Sequence, residues 1–408
     1  MRPRQSIFRK LHLATMPLLL ALAVTSCEKP DPVEQATPPV DAFPEITDPA
    51  VDALTQQAWS ISAELLDESL ASTQTFNTAI ASLLTSPSEE TLKAARSAWV
   101  TAHNAFQKTI IPLTLADTNP GLFGRLADLQ FAIDAHPIQP GFIDYFSVYT
   151  HSGIVNDIAM PLTADALRQQ HGLTDNADVS LGFHALEYLL WGEKGERPHS
   201  DFEATEELTQ AQRTAGLRII DLPNNRRRTL AQLLTNLLED DLAALKQQWG
   251  NLKSHYLSIT ATGRVQLWRS ATHSWVISTI KQFDAYSAYI NNPPEGDEPA
   301  PWHSPFADNL NAHSVQANAQ ALSAQLETLN TILLNTDRGL GRWTLPEEQR
   351  DSVITSLTTL KTNVEQLEGN WPGGLTESSE EPLGMLLDVL SDEAWQSVGQ
   401  SEPDIDLP

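Results

Sequence analysis

Between Pro223 and Gly250 leucine repeats with a helical step. Leu230, Leu233, Leu234, Leu237, Leu238, Leu242, Leu245 and Trp249 recur so that an α-helix would gather them into one stripe, closed by Gly250. An isolated helix of this kind is marginal in water and must lay its stripe against other helices. Leu54, Trp59, Leu65, Leu66, Leu70, Phe76, Ile80 and Leu83 predict a long amphipathic helix with the same step. Ser86-Pro87-Ser88-Glu89 then predicts a capping box with proline in the first turn, opening a second helix through Trp99 and Phe106. Further helices are expected from about Tyr256 to Ile290, stopping at Asn291-Asn292-Pro293-Pro294, and over 306–335, 346–368 and 381–398. No sustained period-2 alternation of β-branched residues competes with them, so the expected class is all-α. Long helices joined by short turns favour antiparallel packing. The chain beyond residue 50 is long for one core, so two antiparallel helical bundles packed together are expected, over 51–250 and 251–400.

Residues 1–26 read as a bacterial export signal. Arg2, Arg4, Arg9 and Lys10 form a basic start, and Leu11 to Val24 is an apolar run shorter than the ~20 residues a membrane-spanning helix needs. Val24-Thr25-Ser26-Cys27 resembles a lipobox, which implies cleavage before Cys27 and lipidation of that cysteine. Two or three acyl chains anchor stably where one does not. Glu28, in place of an aspartate, points to the outer membrane, with the protein facing the periplasm. Residues 27–50 carry Pro30, Pro32, Pro38, Pro39, Pro44 and Pro49 among acids and small residues, and read as a disordered tether.

Charge narrows the function. The chain has 26 Lys+Arg against 52 Asp+Glu, a formal net charge of -26. Loss of the signal removes four cations and no acid, which takes the charge to -30. Such a chain lacks the basic footprint of a nucleic-acid reader. The single cysteine excludes an intramolecular disulfide framework, an all-cysteine iron–sulfur site and a multi-thiolate zinc site.

The segment from Ser180 to Gly192 reads SLGFHALEYLLWG. Ser180 can cap its start and Gly192 can end it. Apart from His184, Glu187 and the Tyr188 hydroxyl it is apolar all round, as a buried helix would be. His184 and Glu187 stand three apart, on one face, where they can converge on one ion or on each other. Gly182 lets another backbone or a ligand come close to the histidine. A buried carboxylate costs several kcal/mol unless a cation or hydrogen-bond network meets it, so Glu187 requires a partner: a metal, an arginine or His184 itself.

Gly182-x-His184-x-x-Glu187 resembles the GxHxxE signature of the imelysin family of bacterial envelope proteins. AARSAWVTAHNAF (94–106) resembles that family's early tryptophan-containing helix, and IDAHPIQPGFIDY (133–145) its Ile-Asp…Pro stretch, with His136 where tryptophan is usual. PWHSPFADN (301–309) resembles the segment before the last helices, with Ala307 in place of its second serine. On the early helix, His103 and then Lys108-Thr109 stand where relatives place an arginine and a glutamate. The resemblance implies two helical bundles, export, lipid anchoring and association with iron uptake. The family is also classed among metallopeptidases. It further implies His184 and Glu187 as metal residues in a buried cleft, with Gly182 beside them and Ser304, His303 and Asp308 as an additional contribution from the later segment.

Three chemistries can be weighed. Zinc peptidases on a helix use HExxH, which is absent, and the inverted HxxEH fails because residue 188 is tyrosine. A catalytic zinc would need a third ligand from His303, Asp308, His103 or His136. A di-iron bundle needs two Glu-x-x-His pairs on helices, and the one match, Glu196-Arg197-Pro198-His199, has a proline that favours a loop. Binding of iron or zinc fits a His/carboxylate pair, whose ligand softness does not choose between them. Haem stays open, with His303 beside Trp302 as its candidate ligand. The expected function is therefore a metal- or haem-linked binding component of iron acquisition, with other envelope proteins as partners. The alternatives are a metal-dependent peptidase and a docking protein whose His/Glu pair is architectural. Arg226-Arg227-Arg228 is expected to pair with acids from another helix, and Glu239-Asp240-Asp241 to form a solvated helix face.

Overall fold

The computed structural model describes residues 46, 48–139, 141–146, 148–193, 195–291, 312–335, 339–367 and 376–390. Among them the fold is all-α, with no strand beyond an isolated bridge between Phe146 and Tyr149. The export signal, Cys27, nearly all of the tether, and Ser304, His303 and Asp308 lie outside the described residues. No described helix is long and apolar enough to cross a membrane.

Helix α1 (Ala50–Thr85) turns back through three residues into α2 (Glu89–Gln107). The capping box sits two residues later than the sequence pattern placed it. Ser88 accepts from the Thr91 amide, and Thr91 returns a contact to the Ser88 amide. Ser86 instead ends α1, and Pro87 occupies the turn rather than the helix. Short helices follow: α3 (Ile110–Leu113), α4 (Leu115–Thr118), α5 (Pro120–Asp134), α6 (Ala164–Gln170), α7 (Gly182–Trp191) and α8 (Gln210–Thr214).

Helix α9 (Pro223–Ser258) is the leucine stripe, and it runs on through Gly250 rather than stopping there. Leu252 and Tyr256 extend the buried face for two more turns, which outweighs the ~1 kcal/mol glycine costs inside a helix. Trp59 of α1 stacks on Trp249 at 4.0 Å and on Tyr256 at 4.4 Å, so α1 and α9 lie antiparallel with their stripes facing. Tyr256 thus belongs to α9, and α10 (Ala261–Asn291) begins after it. Arg264 closes the junction: its guanidinium takes the Ile259 carbonyl at 2.6 Å and the Leu257 carbonyl at 3.3 Å, and also pairs with Asp52.

The remaining helices are α11 (Ala312–Leu329), which continues into a π turn at Asn330–Leu334, α12 (Gly341–Thr344), α13 (Glu347–Glu365) and α14 (Thr376–Val389). The last starts earlier than 381 and carries Pro382 inside it; buried Leu383 and Leu386 hold it across the missing hydrogen bond. Helix α11 packs on α2 and α13, and α10 on α4 and α14.

The arginine triplet is placed differently from expectation. It opens α9, where its side chains meet a loop whose carbonyls have no helical partners. Arg226 donates to the carbonyls of Ile154, Val155, Asp157 and Met160. Arg227 takes Asp144, an acid from that loop and not from a helix, and Arg228 takes the Phe202 carbonyl. In the acidic run, Asp240 is exposed, but Asp241 is 6 % exposed and paired bidentately with Arg168.

Candidate metal centre

Three helices converge on one point. Helix α2 contributes His103 and, one turn on, Gln107; α5 ends on Asp134; α7 contributes His184 from its first turn. Gly182 makes this approach possible. Its φ is +80°, and a Cβ there would stand 2.3 Å from the Ile133 carbonyl oxygen. Only glycine lets the start of α7 press onto the end of α5, which brings His184 beside Asp134. The start of α7 is not capped by Ser180: Leu181 holds the cap position, and the Ser180 hydroxyl donates to the Leu167 carbonyl at 2.7 Å. Gly192 does end the helix, at φ +67°. Trp99 ties α2 to α7 by donating its indole N–H to the Phe183 carbonyl at 2.9 Å, and it stacks on the His103 ring at 4.7 Å.

The cluster is tight and buried. Asp134 Oδ1 lies 3.2 Å from His103 Nε2 and 3.3 Å from His184 Nε2. These are ion-pair distances without hydrogen-bond alignment, and the buried Oδ1 makes no hydrogen bond. One ligand atom from each of His103, Asp134 and His184 lies within 4.8 Å of the other two. Asp134 Oδ2 is taken by Gln107 Nε2 at 2.8 Å. A relay orients that amide: Trp275 donates to Gln325 at 2.7 Å, and Gln325 donates to Gln107 Oε1 at 2.6 Å.

Glu187 is positioned otherwise than as a ligand converging with His184. Its Oε2 lies 2.8 Å from His184 Nδ1, the ring nitrogen facing away from Asp134. The three-residue spacing on α7 joins the pair to each other and leaves Nε2 for Asp134. His136 adds another imidazole, its ring 5.3 Å from that of His184, with Nδ1 3.0 Å from the Asp134 carbonyl. Donation from Nδ1 to that carbonyl leaves an Nε2 lone pair available.

Electrostatics follow from this crowding. Burial acts to lower the His184 pKa, but Asp134 and Glu187 on either side outweigh it and raise the imidazole to about 10. Burial acts to raise Asp134, and the two histidines reverse that, holding the carboxyl well below the usual range. The metal-free cluster is thus an imidazolium held between two carboxylates.

A cavity of about 290 Å³ opens in front of the cluster. Its floor holds buried His103 and Asp134, while the solvent-exposed Asp117 and Ser278 mark its mouth. Helices α10 and α11 supply the opposite wall, with Trp275, Gln282, Asn318 and Gln325.

Of the residues singled out in the sequence, Gly182, His184, Glu187, His103 and His136 are brought together. His199 is remote, 2.9 Å from Glu89 on the surface. Asp134 was not singled out, although it stands in the Ile-Asp stretch; no local spacing ties it to His103 or His184.

A search of the curated proteins finds no match to this chain. The family model described as Imelysin matches residues 61–321, more than half of the chain and a span that includes every residue of the cluster, so the chain belongs to the imelysin family.

Proposed function

We propose that His103, Asp134 and His184 hold one first-row transition-metal ion, and that the protein serves as a metal-binding component of iron acquisition at the cell envelope. The observation that carries this reading is Asp134 Oδ1, a buried carboxylate oxygen without a hydrogen bond, facing two Nε2 atoms at 3.2 and 3.3 Å. Around an ion with ligands about 2.0–2.1 Å away, tetrahedral neighbours stand ~3.3 Å apart and octahedral ones ~2.9 Å apart, so these two oxygen–nitrogen separations fit a shared ion. Two imidazoles and a carboxylate suit iron(II) or zinc alike. Glu187 on Nδ1 is the carboxylate that commonly orients a metal-bound imidazole and raises its basicity. Binding an ion would displace the His184 proton, which links affinity to pH.

The cavity supports a second reading, a metal-dependent peptidase, because three protein ligands beside open space is the arrangement of catalytic zinc. A catalyst would also need a general base. Glu187 is engaged by His184, and the amides on the wall do not titrate, so that role would fall to His136 beside the cluster or to Asp117 at the mouth.

The test is metal content of the purified protein, followed by titration of the stripped protein with iron(II) and zinc. One ion per chain, lost in His103→Ala, Asp134→Asn and His184→Ala with helicity retained, is the expected result. Wild-type protein that holds neither ion sinks the reading. Peptide cleavage that disappears in His136→Ala while metal stays bound would favour the peptidase. The envelope setting rests on the signal, Cys27 and the tether in the sequence. Incorporation of labelled palmitate, abolished in Cys27→Ala, checks it.

A further inference from the structure

The cavity wall carries a chemical preference of its own. Amides are the most numerous of its polar side chains, Gln107, Gln130, Gln282, Asn318 and Gln325, beside the imidazoles of His103, His136 and His184. Thr114, Ser278 and Thr279 add hydroxyls. Asp117 at the mouth and Asp134 at the floor are its two carboxylates, and no lysine or arginine is among the described residues that line it.

We propose that this cavity selects its metal by charge, admitting a hydrated cation and turning away the same metal wrapped in an anionic chelate such as a citrate complex. The inference rests on the metal-holding reading above and names the form in which the ion arrives. Size does not decide the matter. Six first-shell waters occupy roughly 180 Å³ at the ~30 Å³ each takes in the liquid, which fits within about 290 Å³, and a small chelate is of similar bulk.

Charge decides it, since the amides and hydroxyls can donate as well as accept. Waters on a cation point their protons outward, so a hydrated ion presents donors on every side and needs acceptors. Amide oxygens, hydroxyls and the two carboxylates supply them. A carboxylate chelate presents only acceptors and negative charge, whose strong partners are arginine and lysine. Here it would meet Asp117 on entry and Asp134 at the floor, where His184 is already held between two carboxylates, Asp134 and Glu187, and leaves the acids in excess. Asp117 at the mouth draws a cation inwards, and that attraction weakens with salt.

Two inert octahedral complexes of equal and opposite charge separate the possibilities. Hexaamminecobalt(III) presents N–H donors, as a hydrated ion does, and hexacyanocobaltate(III) presents acceptors. Binding of each to the full-length protein is measured by calorimetry, and zinc uptake is followed with a fluorescent zinc indicator. Hexaamminecobalt should bind and slow zinc uptake about tenfold, whereas hexacyanocobaltate should do neither. Gln282→Lys, and independently Gln130→Lys, should each slow zinc uptake about tenfold and abolish hexaamminecobalt binding. Equal effects of the two complexes, or lysine variants that take up zinc at the wild-type rate, overturn the inference. If zinc is held but the complexes are not distinguished, charge selection fails and the metal site stands. If hexaamminecobalt binds in a Gln282-dependent way but zinc is never held at the floor, the metal site fails and charge selection stands.

Discussion

Two buried ionic clusters lie beside α7, one near His184 and one near Tyr188, and they differ in what is left over. Around Asp144, acceptors are fully engaged. Its Oδ1 takes the Tyr145 amide at 2.8 Å and Arg227 at 3.2 Å, and its Oδ2 takes Arg227 at 2.6 Å and Arg197 at 3.0 Å. The surplus is donor: Arg197 Nε and Nη2 make no hydrogen bond, and its guanidinium lies 4.7 Å from the Tyr145 ring centroid. Around Asp134 the unmet atoms are His103 Nδ1 and an acceptor that faces open space, a carboxylate oxygen aimed between two imidazoles at the floor of a cavity. The first arrangement binds a long loop to α9. The second has the donor atoms of an ion site and a path to reach it. The difference teaches that burial and ion pairing alone do not mark a functional site. The sign of the unmet group and the space in front of it do.

The largest effect should come from the closed cluster. Asp144→Asn leaves Arg227 and Arg197 as buried cations short of a partner, at a cost of ~3–5 kcal/mol, with metal affinity little changed in the folded fraction. Urea unfolding and calorimetric titration check the two halves of that statement. Gly182→Ala should follow. A Cβ at φ +80° and 2.3 Å from a carbonyl oxygen cannot be housed without moving α7, for which we expect a loss of about 3 kcal/mol and weakened metal binding together.

Asp134→Asn sharpens the comparison most. It keeps the shape and should cost only ~1–3 kcal/mol in metal-free protein, yet lower metal affinity by more than ~100-fold. Glu187→Gln, which acts through His184, should lower it ~10–100-fold. If Asp134→Asn destabilised as much as Asp144→Asn and left metal affinity untouched, the two clusters would be the same kind of object.

The last prediction concerns pH. The folded-state pKa of His184 is raised to about 10, above its ordinary 6.5. The unfolded chain therefore releases this proton first as pH rises. The stabilisation is complete below about 6.5 and is lost progressively up to about 10. Unfolding of metal-free protein across that window should show stability falling with pH, and His184→Gln should flatten the slope. Metal affinity should run the other way, rising with pH as the competing proton leaves. A flat profile in both would mean that the imidazolium does not sit between two carboxylates.

Much of the fold was legible because it is written in local periodicity. The stripe from Leu230 to Trp249 and the run from Leu54 to Leu83 are both real helices, and they face each other. Errors fell at ends, where local signals compete with packing. Gly250 looked like a stop and was overruled by Leu252 and Tyr256, and Ser180 looked like a cap and was drawn away by the Leu167 carbonyl. Between Ile110 and Gln170, α3, α4 and α6 carry too few turns to show a period, whereas α5 buries Phe123, Leu126, Leu129 and Ile133 at helical steps that were there to be read. Half of the site was legible for the same reason: Gly182, His184 and Glu187 share one short helix.

By itself, then, the sequence determined the helical class, the main stripes and the motif on α7, because these depend on neighbours three and four residues apart. Only the tertiary structure decided that Asp134 would meet His103 and His184 from separate helices, and that Glu187 would face the far nitrogen of the imidazole. It also decided that amides from α10 and α11 would wall the cavity. The contacts between helices join residues 31 to 218 positions apart, from His103 and Asp134 to Gln107 and Gln325. Such distances leave no periodic trace in a chain. They are set by which buried faces match and by the one glycine that lets two backbones touch.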